Sequence, residues 1–142
     1  NGYSLIDRSF ELGLAEVAMR EGLGLIGYSP LAAGTLTGKY GTAPAPLPGS
    51  RSASSPAMLA RMLSPARLAA VQAYAALARA HGLEPAHMAL AFAAQQPFMA
   101  SVLMAASTAD QLSANLRAVD LRLPAELVKA INAIHDAQPN PR

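Results

Sequence analysis

The chain has 142 residues, of which 52% are hydrophobic and 14% charged, with a formal net charge of +2. This length suits one domain with a buried core and is too short for two. The basic residues are scattered singly, which disfavours nucleic-acid binding and membrane-surface binding, and the lack of cysteine excludes disulfides and thiolate chemistry. No stretch has the character of a membrane span or a signal peptide, so we expect a cytoplasmic protein.

The first forty residues predict a strand, a helix and a second strand. Residues 1–6 favour a strand, and because the chain opens inside it, we interpret the chain as a piece of a longer polypeptide. The helix is predicted over residues 11–20 from apolar side chains at helical spacing, namely Leu12, Ala15 and Met19. Residues 22–40 then predict a buried strand, containing Leu23, Leu25 and Ile26, that runs into a glycine-rich loop.

A long loop separates this unit from the helical part of the chain. Residues 41–56 are rich in proline, glycine and serine, and loops of this length are functional lids or disordered segments. Ser64 and Pro65 then provide a cap and a first-turn proline for a helix that ends at Gly82. The predicted inner face of that helix consists of Leu68, Val71, Ala75 and Ala78.

The rest of the chain predicts a helix, a strand and two more helices. A helix from Pro85 must stop before Pro97, and a short strand follows over Ser101–Ala106. The inner faces of the three helices are predicted, in chain order, as Met88 and Phe92; then Leu112, Leu116 and Val119; then Leu127, Ile131 and Ile134. Alternating strands and helices indicate a parallel sheet or barrel with helices outside.

Three strands are too few for such a sheet. A parallel strand is buried on both faces, and so narrow a sheet leaves apolar edges unpaired. We therefore expect the remaining strands to come from missing residues or from another chain.

Two stretches of the glycine-rich loop match known catalytic motifs only in part. Residues 27–31 begin like the nucleophile elbow of a serine hydrolase, but Leu31 stands where that turn needs glycine. Residues 34–40 resemble a phosphate-binding loop, but the spacing is one residue short and Tyr40 replaces the magnesium-binding hydroxyl. Both a serine hydrolase and a nucleoside triphosphatase are therefore disfavoured.

The sequence fits an anion-binding site formed by two strand ends better than it fits either of those enzyme classes. The glycines of residues 29–38 allow backbone amides to approach a phosphate, and Ser107 and Thr108 precede a helix N-terminus. Structural alternatives stay open at each position: Tyr28 as a partly buried core residue, Lys39 as a solvated charge, Gln111 as a helix cap and Asn115 as a surface residue.

The sequence offers no metal site and no obvious acid or base. His81, His87 and His135 lie on or beside predicted helices, without a partner at metal-ligand spacing.

Several segments in order resemble the aldo/keto reductase family. Residues 28–40 resemble the loop after the seventh barrel strand, and residues 105–116 the cofactor segment after the eighth. Residues 1–8 are similar to the sixth-strand segment, 49–51 to the arginine after the long loop, and 88–92 to the helix before the eighth strand. The resemblance covers essentially the whole chain.

This resemblance implies an α/β fold, a partial (β/α)8 TIM barrel comprising roughly the last three strands with their helices. Residues 1–142 would be the C-terminal portion of a single NADP-dependent oxidoreductase domain, which transfers a hydride from NADPH to an aldehyde or ketone. The partners implied are a small-molecule carbonyl substrate and the missing N-terminal half, or another chain that completes the barrel. The alternative is a non-catalytic nicotinamide-binding module or regulatory subunit of the same fold.

The resemblance also implies roles for individual residues. Tyr28 would stack on the nicotinamide ring, and the adenosine end would contact Ser107, Gln111 and Asn115. The pyrophosphate would be lined by Ser29, Leu31, Gly34 and Lys39, with Arg51 as a further cofactor-binding residue. No catalytic residue is assigned, because the family's aspartate, tyrosine, lysine and histidine precede this stretch.

Two positions depart from the family pattern. Ala105 stands where relatives usually have glycine, and Ser107 where they often carry a basic residue near the 2′-phosphate. The choice between NADPH and NADH therefore stays open.

Overall fold

A short parallel sheet organises the fold. The computed structural model describes residues 1–41, 62 and 64–141, so the predicted loop beyond Gly41, including Arg51, lies outside the described residues. Strands β1 (Leu25–Tyr28) and β2 (Met99–Leu103) pair in parallel, with Tyr28 opposite Leu103. Gly2 forms a parallel bridge with Tyr28, so the N-terminal segment extends the sheet beside β1.

Helices cover one side of this sheet. In chain order they are α1 (Leu14–Arg20), α2 (Pro65–Ala80), α3 (Pro85–Ala94), α4 (Ala109–Leu116) and α5 (Ala125–Ala137). Two 3₁₀ segments, Ser9–Leu12 and Ala32–Thr37, precede α1 and follow β1. The α/β architecture is consistent with part of a barrel.

The core lies between the sheet and the helices. Its largest fully buried apolar side chains come from the N-terminal segment and from α3 and α5: Tyr3, Leu5, Ile6, Met88, Phe92, Leu127 and Ile131. The ring of Tyr3 stacks on Phe92 and meets Phe98 edge-on. These aromatic contacts join the N-terminal segment to the helix layer.

The start of α2 confirms its predicted cap. The Ser64 hydroxyl accepts a hydrogen bond from the Arg67 amide, and Pro65 occupies the first turn. Val71, Ala75 and Ala78 are buried as predicted, and Leu68 is half-buried. Helix α3 begins at Pro85 and buries Met88 and Phe92, and α5 buries Leu127 and Ile131, also as predicted.

Four predictions were wrong in the N-terminal unit. Residues 1–6 form no strand but only isolated bridges, Gly2 with Tyr28 and Ser4 with Asp7. Helix α1 begins at Leu14 rather than at residue 11, because a 3₁₀ segment occupies the preceding residues. Of the three predicted residues only Ala15 is buried, together with Ala18; Leu12 is 81% exposed and Met19 is 50% exposed. In the strand, only Leu25 of the three predicted apolar residues is buried; Leu23 and Ile26 are exposed.

Two predictions were wrong near β2. The strand spans Met99–Leu103 rather than 101–106, because the residues that pair with β1 begin two positions earlier. The apolar face of α4 and the turn after it is exposed at Leu112, Leu116 and Val119. This face has helical spacing, but no described element covers it.

Candidate functional site

The carboxyl-terminal edge of the sheet brings two predicted segments side by side. Strands β1 and β2 are parallel, and their last residues, Tyr28 and Leu103, are register partners. The chain leaves β1 into the 3₁₀ segment and leaves β2 toward α4. Parallel α/β folds bind ligands at this end of their strands.

Tyr28 presents its ring at this edge. Its amide donates to the Asn1 carbonyl (2.9 Å) and its carbonyl accepts from the Tyr3 amide (3.1 Å), which holds the backbone in place. A Cβ added at Gly2 would lie 3.4 Å from Cε2 of Tyr28, so the ring lies against the Gly2 backbone. Tyr28 is 52% exposed, so about half of its surface is open to solvent. An exposed aromatic face of this kind suits stacking.

The backbone after Tyr28 turns through left-handed conformations. Ser29 has a φ of 59°, and Ala32, Ala33 and Gly34 have φ of 47°, 55° and 88°. Left-handed backbone is costly for residues other than glycine and persists only where the surroundings hold it. Ala32 is buried and Leu31 is half-buried against the core, so packing holds this segment.

Lys39 folds back over this turn. A Cβ added at Gly34 would lie 3.1 Å from the Lys39 Nζ, so glycine leaves the room that the ammonium group occupies. The Nζ atom also lies 5.1 Å from the ring centre of Tyr40, a cation–π distance. The structure therefore brings Gly34 and Lys39 together, and a positive charge beside a glycine backbone suits a phosphate.

The segment after β2 forms a capped helix start. The Thr108 hydroxyl accepts from the Gln111 amide (3.2 Å), and Gln111 Oε1 accepts from the Ser107 amide (3.0 Å). The capping alternative for Gln111 is thus present, and its side-chain NH₂ group still offers donors. Ser107 and Gln111 are exposed and Asn115 is half-buried.

Sequence reasoning missed two residues that support these segments. Thr35 is buried, and its hydroxyl donates to the Ala32 carbonyl (2.9 Å). His87 Nε2 lies 2.8 Å from the Ala114 carbonyl and ties α3 to α4. Neither contact has a sequence signal, because each depends on how the chain folds back.

A second group of interacting charged side chains is centred on Arg8 in the N-terminal segment. Arg8 makes an ion pair with Glu11 (2.7 Å), stands over the Phe92 ring and donates to Asn132 Oδ1 (2.9 Å). Tyr3 donates its hydroxyl hydrogen bond to the same Glu11 carboxylate. This cluster joins the N-terminal segment to α5.

Burial and hydrogen bonding shift the pKa values in this cluster. Burial and the Glu11 hydrogen bond raise the pKa of Tyr3. Burial alone would raise the pKa of Glu11, but the hydrogen bonds from Arg8 and Tyr3 outweigh it and lower that pKa. Burial and the nearby Arg8 charge lower the pKa of His135. Since Tyr3 packs between phenylalanine rings, we assign the cluster a structural role.

Two features are absent from the part of the chain that the structure describes. They contain no group of three or more histidine, aspartate and glutamate side chains able to hold a metal ion. Within the same residues, no helix has the length and apolarity needed to cross a membrane.

Comparison with known proteins places these segments in a family. The model of the aldo/keto reductase family matches residues 1–136. Protein tas of Escherichia coli K12 is 46% identical over 143 residues, covering 99% of this chain and 40% of that protein.

Two other relatives differ from each other in kind. A probable voltage-gated potassium channel subunit beta of Oryza sativa is 34% identical over 121 residues, covering 83% of this chain and 37% of that protein. L-glyceraldehyde 3-phosphate reductase of Escherichia coli K12 is 33% identical over 121 residues, covering 83% of this chain and 35% of that protein. The chain thus spans at most 40% of the length of these curated relatives.

Proposed function

The chain belongs to the aldo/keto reductase family, and we propose that it forms the NADPH-binding part of a reductase acting on an aldehyde or ketone. One observation carries the proposal. Tyr28 and Leu103 end neighbouring parallel strands in register, so the two segments that resemble the cofactor loops start side by side. A dinucleotide needs such an arrangement, because its nicotinamide and adenosine ends must be held at once.

The residues at the sheet edge fit the chemistry of a dinucleotide. The exposed Tyr28 ring suits stacking on a flat nicotinamide, and Lys39 beside Gly34 suits a diphosphate. The start of α4 offers Ser107 and the Gln111 NH₂ group to the adenosine end. When bound, NADPH supplies the hydride; the protein's share is to hold and orient the cofactor.

We propose that residues outside this chain supply the rest of the barrel. Ile26 and Leu103 are exposed on the strands, and Leu112 and Leu116 on α4. Exposed apolar side chains on neighbouring elements are typical of an interaction surface. We propose that the N-terminal half of the parent protein, or another chain, covers it and contributes the catalytic groups. On this proposal the 142-residue chain alone has no turnover and binds NADPH weakly.

A second candidate is a nicotinamide-binding module without catalysis. It is supported by the relative from Oryza sativa, whose name describes a channel subunit rather than an enzyme. The relative named L-glyceraldehyde 3-phosphate reductase supports the enzymatic candidate at nearly the same identity. The two candidates share the cofactor site and differ only in carbonyl reduction.

The test uses the chain and a chimera in which it replaces the matching segment of Protein tas. NADPH and NADH are titrated into each while nicotinamide fluorescence is followed, and reduction of a panel of aldehydes and ketones is measured. We expect saturable NADPH binding by the chimera, weaker binding by the chain, and carbonyl reduction only by the chimera. Because the catalytic groups of the chimera come from Protein tas, reduction tests whether this chain holds NADPH in a productive position. Binding by the chimera without any reduction favours the second candidate.

A matched pair of lysine variants locates the site. Lys39→Ala removes the ammonium beside Gly34, whereas Lys129→Ala removes an exposed ammonium on α5. We expect Lys39→Ala to weaken NADPH binding by at least about tenfold, since a charge-assisted hydrogen bond contributes roughly 1.5–3 kcal/mol. Lys129→Ala should leave binding unchanged. Equal effects of both variants, or no binding by the unmodified chimera, would contradict the proposed site.

A further inference from the structure

The turn after β1 contains two alanines in a conformation that alanine disfavours. Ala32 and Ala33 have φ of 47° and 55°, directly before Gly34 at 88°. Left-handed backbone costs an alanine roughly 1–2 kcal/mol, whereas glycine adopts it readily. Some interaction must therefore hold the two alanines in place, and such strain clusters at functional sites.

Thr35 supplies a direct hold on this turn. Its hydroxyl donates to the Ala32 carbonyl at 2.9 Å, which links the residue after the turn to its first residue. The side chain is only 2% exposed, so water has little access to replace the bond. The Gly34 amide, which donates to the Leu31 carbonyl at 2.8 Å, closes the same turn.

The conformation of the turn determines where Lys39 can lie. The Lys39 Nζ occupies the space beside Gly34 that a Cβ would partly fill, and it stands 5.1 Å from the Tyr40 ring centre. If Ala32–Gly34 relaxed to right-handed backbone, the Gly34 surface would rotate away from the ammonium group. The ammonium position therefore depends on the left-handed turn.

We propose that Thr35 is a positioning residue, whose hydroxyl holds the Ala32–Gly34 turn left-handed so that the Lys39 ammonium lies over Gly34, ready for a cofactor phosphate. The phosphate part of this inference rests on the proposed function; the positioning part concerns the free chain. The simpler alternative is that the Thr35 hydroxyl stabilises the turn locally without affecting Lys39.

The first test needs no ligand and uses the 142-residue chain. Thr35→Val keeps the side-chain shape but removes the hydroxyl, and Thr35→Ser restores it. NMR measures the ring-current shift of the Lys39 Hε protons, with Tyr40→Leu as the reference without a ring. We expect Thr35→Val to lose most of that shift and Thr35→Ser to retain it.

Hydrogen exchange in the same samples reports the turn itself. Exchange of the Gly34 amide should be about fivefold faster in Thr35→Val, the effect of one hydrogen bond worth about 1 kcal/mol. The Leu25 amide, which donates to the Phe98 carbonyl, should not change and serves as the internal control. Faster Gly34 exchange with an unchanged Lys39 shift would leave only the local alternative and overturn the proposal.

The second test asks whether Thr35 acts through Lys39 when NADPH binds. In the chimera, Thr35→Val should weaken NADPH binding about fivefold. It should add nothing in a Lys39→Ala background, because residues acting through one contact are not additive. Thr35→Val should also reduce the salt dependence of binding as Lys39→Ala does, since salt screens the same charge. Additive effects with an unchanged salt dependence would overturn the proposal.

The two tests can reject the proposed function and the role of Thr35 independently of each other. If the unmodified chimera binds no NADPH, the proposed function is wrong, and the ligand-free measurements still decide whether Thr35 positions Lys39.

Discussion

The two segments at the sheet edge are held in different ways. The 3₁₀ segment after β1 buries Ala32, Thr35 and Leu36 against the core and contacts α2 and α3. Helix α4, which follows β2, buries no residue at all and exposes Leu112 and Leu116. Yet both segments start at the same edge and resemble parts of one cofactor site.

This difference separates what the chain can organise alone from what it cannot. A segment packed on its own core keeps its geometry before ligand binds, whereas an exposed helix is free to open locally. We therefore expect the pyrophosphate side of the site to be preorganised in the 142-residue chain. The adenosine side should become ordered only when its apolar face is covered.

The largest difference in the free energy of unfolding should appear when one leucine in each segment is replaced by alanine. Leu36→Ala removes a buried side chain and should lower the free energy of unfolding by about 2–5 kcal/mol. Leu112→Ala removes an exposed one and should change it by less than about 0.5 kcal/mol. Urea denaturation followed by circular dichroism measures both. Equal losses would show that α4 is packed as firmly as the turn.

The core beneath the first segment should also depend on Glu11. Glu11→Gln removes the charge that pairs with the largely buried Arg8, and should cost about 1–3 kcal/mol of unfolding free energy. The matched control is Glu16→Gln, which breaks an exposed pair with Arg20 worth at most about 0.5 kcal/mol. If both variants unfold at the same urea concentration, the Arg8 cluster does not support the core.

The same cluster predicts how stability responds to acid. The pKa of Glu11 is lowered from its ordinary value of 4.5, so its contribution is full above pH 4.5 and is lost as the pH falls below that value. The pKa of His135 is lowered from 6.5, so protonation of the unfolded chain begins to destabilise the fold below pH 6.5. Urea midpoints should therefore fall in two stages between pH 7 and pH 3. In Glu11→Gln, only the stage near pH 6 should remain.

Gly34 should matter more for binding than a glycine with the same backbone elsewhere. Gly34→Ala strains a left-handed residue and places a Cβ 3.1 Å from the Lys39 Nζ. Gly82→Ala imposes similar strain at a φ of 67° with nothing within 4 Å of the added Cβ. Both should cost about 1 kcal/mol of stability, but only Gly34→Ala should weaken NADPH binding by the chimera. If Gly82→Ala weakened NADPH binding as much, the loss of binding in Gly34→Ala would reflect reduced stability and not the position of Lys39.

The smallest effect on global stability should come from a substitution that destabilises only α4. Thr108→Ala removes the cap hydrogen bond to the Gln111 amide and should destabilise this helix by about 0.5–2 kcal/mol. Because α4 packs weakly, hydrogen exchange should rise in α4 while the global urea midpoint stays unchanged. Ser64→Ala removes the corresponding cap of α2, whose buried face belongs to the core, and should lower the global midpoint. A lower global urea midpoint in Thr108→Ala would show that α4 packs on the core as firmly as the 3₁₀ segment after β1 does.

Much of the local structure was predictable because it depends on short-range chemistry. The Ser64 cap, the Pro65 start and the buried faces of α3 and α5 follow from residue spacing and proline geometry. The α4 start at Thr108 was predicted for the same reason. The errors at Leu12 and Met19 arose because spacing shows that a helix has an apolar face, not which neighbour covers it.

The candidate site was predictable only as two separate segments. The family resemblance indicates Tyr28, Lys39, Ser107 and Gln111, but the pairing of Tyr28 with Leu103 and the return of Lys39 over Gly34 are contacts made in space. Thr35 carries no signal of its own, since its role depends on the left-handed turn that precedes it.

The sequence by itself determined the family, the order of the helices and the starts of α2, α3 and α4, because motifs, proline positions and caps act over a few residues. Tertiary structure alone decided that the apolar faces predicted for α1 and α4 are largely exposed, how β1 and β2 are in register, and where the Lys39 ammonium lies. These depend on segments far apart in the chain meeting at one sheet. For the same reason, the exposed faces of β1, β2 and α4 show the surface on which the proposed remainder of the barrel would pack.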